Sequence, residues 1–403
     1  MIAPRETDSA IVGNSAQPAS GRRRRRAVAA VLCLSLGALA GLTSACASRR
    51  GSGPAGPGAG SKPSAGGPEA MRRGPGRPAP SLPATLRVRV GERGGARVLT
   101  LSLDDYVLGA VRAEVLPSTL RAGPASRALD VQAIVSRTYA AANVGRHAAD
   151  GYDLCATTHC QLYRPAAAGE GPGDLAARAV TATRGQILTY QGHVIQALFH
   201  ADCGGHTASA ASVWGGTHAP YLESVADWYC ERRRASDWTF AIDEARLLNA
   251  LRSDSRTRIG DSLRRVEIGS RDGAGRALAV TLIGSKTISV RAEVFRGAVT
   301  QAFGPRSLRS TRFEVDREGS RLRFSGVGFG HGVGLCQTGT LRRVEARQTP
   351  AEVLAHYFPG TRLQTVSPGL AGPGAAGRLF GRWERVVEGD PAPNMSFYKT
   401  LRP

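Results

Sequence analysis

Asp105-Tyr-Val-Leu-Gly-Ala-Val-Arg-Ala-Glu114-Val-Leu-Pro117 is followed, after ten further residues, by Ala128-Leu-Asp-Val-Gln-Ala-Ile-Val-Ser-Arg-Thr-Tyr139. The second segment sets Val131, Ile134, Val135 and Thr138 at helical spacing, which predicts a helix over about 126–144 with one core-facing stripe. Gln132, Ser136 and Arg137 fall off that stripe and are candidates for a groove face. The first segment predicts a helix capped by Asp104 and running through Val111, so that Glu114 stands just past its end. Upstream, Leu86–Val90 and Arg97–Leu103 alternate and read as a hairpin turned at Gly94-Gly95. Downstream, the pattern predicts a hairpin of Gln186–Tyr190 and Val194–Phe199, then a helix over Phe240–Ser253. Strands at 277–283 and 287–291, a helix at 292–303, strands at 312–315 and 321–326, and helices at 339–347 and 350–357 follow. Strands and helices mix without steady alternation, so the fold class is α+β rather than a doubly wound sheet.

The beginning of the chain reads differently. Arg22–Arg26 form a basic region and Ala27–Ala45 an uncharged apolar stretch, the pattern of a signal sequence over residues 1–46. Leu42-Thr-Ser-Ala-Cys46 resembles a lipoprotein cleavage site in which Cys46 becomes the acylated first residue. An uncleaved membrane anchor and plain cleavage are the alternatives. All three put the rest of the chain outside the cytoplasm, in the cell envelope. Residues 47–84 are dominated by Gly, Pro, Ala and Ser and read as a tether. A folded domain over 85–365 and a C-terminal tail over 366–403 complete the organisation.

Of the formal net charge of +21, residues 1–83 carry +9, from 12 Arg and Lys against 3 Asp and Glu, which leaves +12 on the remainder. A basic folded part suits an anionic polymer such as a cell-wall glycan. Nucleic acid is not expected as a partner, because no motif interleaves bases with aromatics. The seven cysteines stand at 33, 46, 155, 160, 203, 230 and 336, so five remain beyond the signal. An odd number outside the cytoplasm implies a free thiol or a metal site that uses thiolates. Cys155, His159 and Cys160 are close enough in sequence to share a zinc, with His200 or Cys203 as a further ligand. A disulfide within this set, or to Cys230, is the alternative.

The Glu114 segment recurs in company with Gly151-Tyr-Asp-Leu-Cys-Ala-Thr-Thr-His-Cys-Gln-Leu-Tyr163, Ala197-Leu-Phe-His-Ala-Asp-Cys-Gly-Gly205 and Gly328-Phe-Gly-His-Gly-Val-Gly-Leu-Cys-Gln337. In that order the four blocks resemble the SpoIID/LytB (stage II sporulation protein D) family over about residues 85–365. The resemblance implies a two-lobed domain with a substrate groove, and a lytic transglycosylase acting on peptidoglycan glycan strands stripped of stem peptides. It gives Glu114 the acid/base role and Arg137 a substrate contact, and makes Gln132, His200, His331 and Gln337 further sugar-binding candidates. Cleaving a glycosidic bond requires a proton for the departing oxygen, hence a carboxyl held protonated near neutral pH. Hydrolases add a second carboxylate. A transglycosylase does not, because the 6-hydroxyl of N-acetylmuramic acid is the nucleophile, and no cofactor is required. The family also implies a rival reading, a non-catalytic glycan-binding protein that enhances a cell-wall amidase.

Overall fold

The computed structural model describes residues 81–91, 95–115, 123–166, 174–216, 218–231 and 237–367. The signal sequence, Cys46, nearly all of the tether and the tail beyond 367 lie outside the described residues. Among the described residues no helix is long and apolar enough to cross a membrane.

The fold is α+β. Strands β1 (Thr85–Val90) and β2 (Arg97–Ser102) pair antiparallel from Thr85↔Ser102 to Val90↔Arg97. The chain then turns directly into α1 (Leu103–Glu114), capped by the Ser102 hydroxyl on Asp105 N rather than by Asp104. The helix outruns its expected end at Val111, so Glu114 is its last residue instead of lying beyond it. Helix α2 (Arg127–Ala142) is wrapped by α1, by α3 (Leu175–Ala182), by β4 (Gln186–Tyr190) and by α8 (Gln337–Glu345) and α9 (Pro350–Tyr357). From Ala128 to Ala141 only Asp130 escapes burial. The single apolar stripe read from sequence is therefore one side of a helix enclosed nearly all round, and neither Ser136 nor Arg137 sits on an open face.

Short strands tie the remaining loops to this centre. β3 (Leu154–Cys155) runs parallel to β1, β5 (His193–Val194) and β14 (Arg362–Thr365) flank β4, and β6 (Phe199–His200) runs parallel to β13 (Leu335–Cys336). Two short helices, α4 (Ala210–Trp214) and α5 (Trp228–Glu231), follow β6.

Between α5 and β13 the chain builds a unit with its own core. β7 (Asp237–Asp243), α6 (Glu244–Arg252), β8 (Leu263–Arg271), β9 (Ala277–Gly284), β10 (Thr287–Arg291), α7 (Ala292–Phe303), β11 (Phe313–Glu318) and β12 (Arg321–Val327) form two three-stranded sheets and two helices. Phe295, Phe313 and Phe324 pack at its centre with ring centroids 5.6–6.3 Å apart. The expected helix over 240–253 begins as strand: Trp238-Thr-Phe-Ala-Ile242 alternates buried and exposed in β7 before the helix starts at Glu244. The unit's first and last strands are neighbours, with Asp237 opposite Val327.

Candidate active site

Glu114 ends α1 with 8% of its surface exposed. Its Oε1 accepts the backbone N–H of Leu162 at 2.9 Å. The segment that supplies this donor lies along α1 because position 109 is glycine: a Cβ there would fall 2.2 Å from the Tyr163 ring and 2.7 Å from the Arg164 carbonyl. Tyr163 stacks on Tyr106 of the same helix at 5.7 Å, and Arg164 N donates to the Gly109 carbonyl. Burial raises the Glu114 pKa to about 8, against the opposing pull of the Leu162 N–H. Among the described residues no charged side chain contributes to that shift. Glu114 is thus an acid whose raised pKa favours the protonated form at neutral pH, with no second carboxylate among the described residues contributing to the shift.

Val115, the next residue, opens onto a small cleft lined also by Ala128, Gln132, Leu335, Gln337, Thr340 and Leu341. Two of the sequence candidates meet there: Gln337 Nε2 donates to Gln132 Oε1 at 3.3 Å. The hydroxyl of Thr340, a residue the sequence reading did not single out, is buried beside them without a hydrogen-bond partner among the described residues.

Arg137 is placed elsewhere, and the expected substrate contact is corrected. It is fully buried, and its guanidinium donates to the carbonyls of Val180 (3.3 Å), Thr183 (2.9 Å) and Gln186 (3.4 Å). It thereby satisfies the orphan acceptors at the C-terminal end of α3 and complements that helix dipole. Its ion pair is with Asp104, ten residues before Glu114 on α1 and so about 15 Å along the helix. His200 is likewise corrected. It is fully buried, with Nδ1 3.2 Å from the Val333 carbonyl, so no sugar reaches it. His331 is partly buried between Trp214 and His200, accepts Val333 N at Nδ1, and does not line the cleft. Burial pushes its pKa down to about 4, and that of His200 well below the usual imidazole value, so both rings are neutral at neutral pH.

Cys155, His159 and Cys160 do come together, and their companion is His147, not Cys203. The four ligand atoms lie within 4.8 Å of one another. The S···N separations are 3.3 Å (Cys160 to His147), 3.7 Å (Cys155 to His159) and 3.6 Å (Cys160 to His159). A tetrahedral zinc, with bonds of about 2.3 Å to sulfur and about 2.0–2.1 Å to nitrogen, has S···N edges of about 3.6 Å, so these residues fit that ion. Backbone bonds from His147 N to the Asp153 carbonyl and from Tyr152 N to the His147 carbonyl close the turn that carries Cys155 back to His147, and the Asp153 carboxylate ties this turn to β1 by accepting Arg87 N at 2.8 Å. Cys160 stands two residues before Leu162, so the cluster anchors the segment that holds Glu114. Cys203 lies in a separate group with Cys230, Cys336 and Asp227, and all five cysteines of the described residues are unbridged.

The family model for stage II sporulation protein matches residues 92–190, the stretch holding Glu114, Arg137 and the Cys155–Cys160 loop. Relatives match beyond it. Stage II sporulation protein D of Bacillus subtilis is 26% identical over 66% of this chain and 75% of its own length, and the amidase enhancer of the same organism 25% over 62% and 39%. Residues 92–190 are thus a SpoIID-family domain. An uncharacterised protein of Brachyspira hyodysenteriae is 31% identical over 64% of this chain and 66% of that protein, so the chain spans just under two thirds of that relative's length. A second model, a domain of unknown function (DUF8618), matches residues 230–334, which coincides with the unit that this chain carries between α5 and β13.

Proposed function

We propose that the protein is a lytic transglycosylase of the cell envelope that cleaves peptidoglycan glycan strands, with Glu114 as acid and then base. The observation that carries this reading is Glu114 buried at the end of α1, where desolvation raises its pKa and no carboxylate among the described residues adds to the shift. In the reaction Glu114 gives its proton to the glycosidic oxygen as the bond to C1 of N-acetylmuramic acid breaks. The resulting carboxylate takes the proton of the 6-hydroxyl, whose oxygen bonds to C1 and leaves a 1,6-anhydro end. One carboxyl returns to its starting state, and water is not consumed. Gln132, Gln337 and Thr340 supply amide and hydroxyl groups suited to sugar hydroxyls and acetamido groups. Zinc held by His147, Cys155, His159 and Cys160 would have a structural part, fixing the 160–164 segment and so the Leu162 donor, while the chemistry stays with Glu114.

The chain reaches its substrate from the membrane through acylated Cys46 and the tether. Mass spectrometry of denuded glycan strands incubated with the protein tests the reading: anhydro ends are expected, and reducing ends would refute it. The relative named amidase enhancer favours one rival, glycan binding that stimulates an amidase. Intact strands together with faster amidase turnover would select that rival.

A further inference from the structure

The five cysteines divide into two and three, and the group of three is the less explained. Cys203 on the loop after β6, Asp227 and Cys230 around α5, and Cys336 at the end of β13 are all buried, with their ligand atoms within 4.8 Å of one another. Cys336 Sγ is 3.7 Å from Cys230 Sγ, and Cys203 Sγ is 3.5 Å from Asp227 Oδ2. A tetrahedral zinc requires S···S edges of about 3.8 Å and S···O edges of about 3.5 Å. A disulfide, by contrast, requires about 2.0 Å.

The surroundings are built for negative charge. Cys336 caps α8, and its sulfur accepts two backbone N–H groups, from Gly339 and Cys203, each at 3.3 Å. Asp227 is gripped through both oxygens, by Tyr357 Oη at 2.6 Å and Arg343 Nη2 at 3.2 Å, as outer partners orient a metal-bound carboxylate. Fully buried Arg276 donates to the Cys203 carbonyl at 3.0 Å and threads past Gly332, where a Cβ would meet its guanidinium carbon at 2.4 Å. Its Nε and Nη1 have no hydrogen-bond partner among the described residues. Three thiolates and a carboxylate around a divalent ion carry two net negative charges, which the two guanidiniums of Arg276 and Arg343 balance. Asp202 Oδ1, 3.3 Å from Cys230 Sγ, is a further oxygen at the cluster.

We propose that Cys203, Cys230, Cys336 and Asp227 form a second mononuclear zinc site, independent of the glycan reading, that clamps the neck of the inserted unit. Cys230 precedes its first strand and Cys336 follows its last, and the residue after Cys336 is the cleft's Gln337. The ion joins both ends of the insertion to the loop carrying Cys203 and fixes where α8 begins. Soft ligands at tetrahedral spacing select zinc over magnesium or calcium.

The test is metal stoichiometry of the full chain purified without reductant or added metal, by native mass spectrometry with elemental analysis. Two zinc ions per chain are expected. Cys230→Ser and His147→Ala should each leave one, and the pair of changes none; a single ion that Cys230→Ser removes also supports this site alone. For a variant that fails to fold, unfolding the wild-type chain with a colorimetric chelator and a thiol-alkylating reagent should release two zinc ions and expose five reactive thiols beyond residue 46. A zinc content that Cys230→Ser leaves unchanged, or recovery of two of Cys203, Cys230 and Cys336 as a disulfide, overturns the proposal.

Discussion

Replacing Glu114 with Gln should do two opposite things: remove catalysis and raise stability. In the folded chain the carboxyl titrates at about 8, against an ordinary value of 4.5. Between those values the native state holds a proton that the unfolded state has released, so native stability falls as pH rises across the window and levels off above it. At about 1.4 kcal/mol per pKa unit, the burden Glu114 places on the fold is about 3 kcal/mol at pH 7 and about 5 kcal/mol above pH 8. Gln keeps the shape and can still accept the Leu162 N–H, but its buried amide donors cost about 1 kcal/mol. The variant should therefore be more stable by about 2 kcal/mol at pH 7, with the gain growing toward pH 8 and vanishing or reversing near pH 5. Thermal or urea unfolding of both proteins from pH 5 to pH 9 measures the difference. Cleavage should fall by about a hundredfold or more, the usual share of a positioned general acid. Two stability curves that stay parallel across this range would show that Glu114 titrates normally, and the single-acid mechanism would lose its basis.

Wild-type cleavage should decline as pH rises through about 8, where Glu114 loses the proton it must donate, and a pH–rate profile reads this directly. Gly109→Ala drives a Cβ into the Tyr163 ring; a stability loss of about 1–3 kcal/mol with reduced cleavage is expected, measured on one preparation. Arg137→Ala should lower stability by about 3 kcal/mol and activity only in proportion, because its partners are α3 carbonyls and Asp104; Arg137→Lys, unable to span them, should not restore the melting temperature. Cys155→Ser and Cys160→Ser should each release zinc and destabilise by similar amounts, and the double change should add little, since the two thiols serve one site.

What the sequence disclosed follows how local each signal is. Helices over Ala292–Phe303 and Pro350–Tyr357 are legible to the residue, the second because Thr349 and Glu352 form a capping box just before an apolar run. Helix α3 is not legible: its Ala-rich Leu175–Ala182 follows a Gly/Pro stretch and carries little periodicity, though Asp174 marks its start by capping Ala177 N and pairing with Arg112. Missing α3 is why Arg137 read as a groove residue, since the carbonyls it serves belong to that helix and the turn after it. Glu114 stood out as a lone carboxyl between apolar residues. Its proton affinity depends on a segment some fifty residues away that only Gly109 admits. His147 escaped notice because seven residues separate it from Cys155, and backbone bonds across the 147–153 turn close that gap. Cys203 was assigned to the wrong cysteines for a similar reason, as its partners come from α5 and the end of β13.

The unit between β7 and β12 begins and ends on adjacent strands, with Asp237 facing Val327 across one hydrogen-bonded step of about 5 Å. A segment that departs and returns at one point can be lengthened, shortened or exchanged with almost no geometric demand on its host. Here that host is the α2-centred body bearing Glu114, and the visitor brings a complete aromatic core of its own. The surface that the unit presents can thus change while the body that holds Glu114 and its supports keeps its geometry.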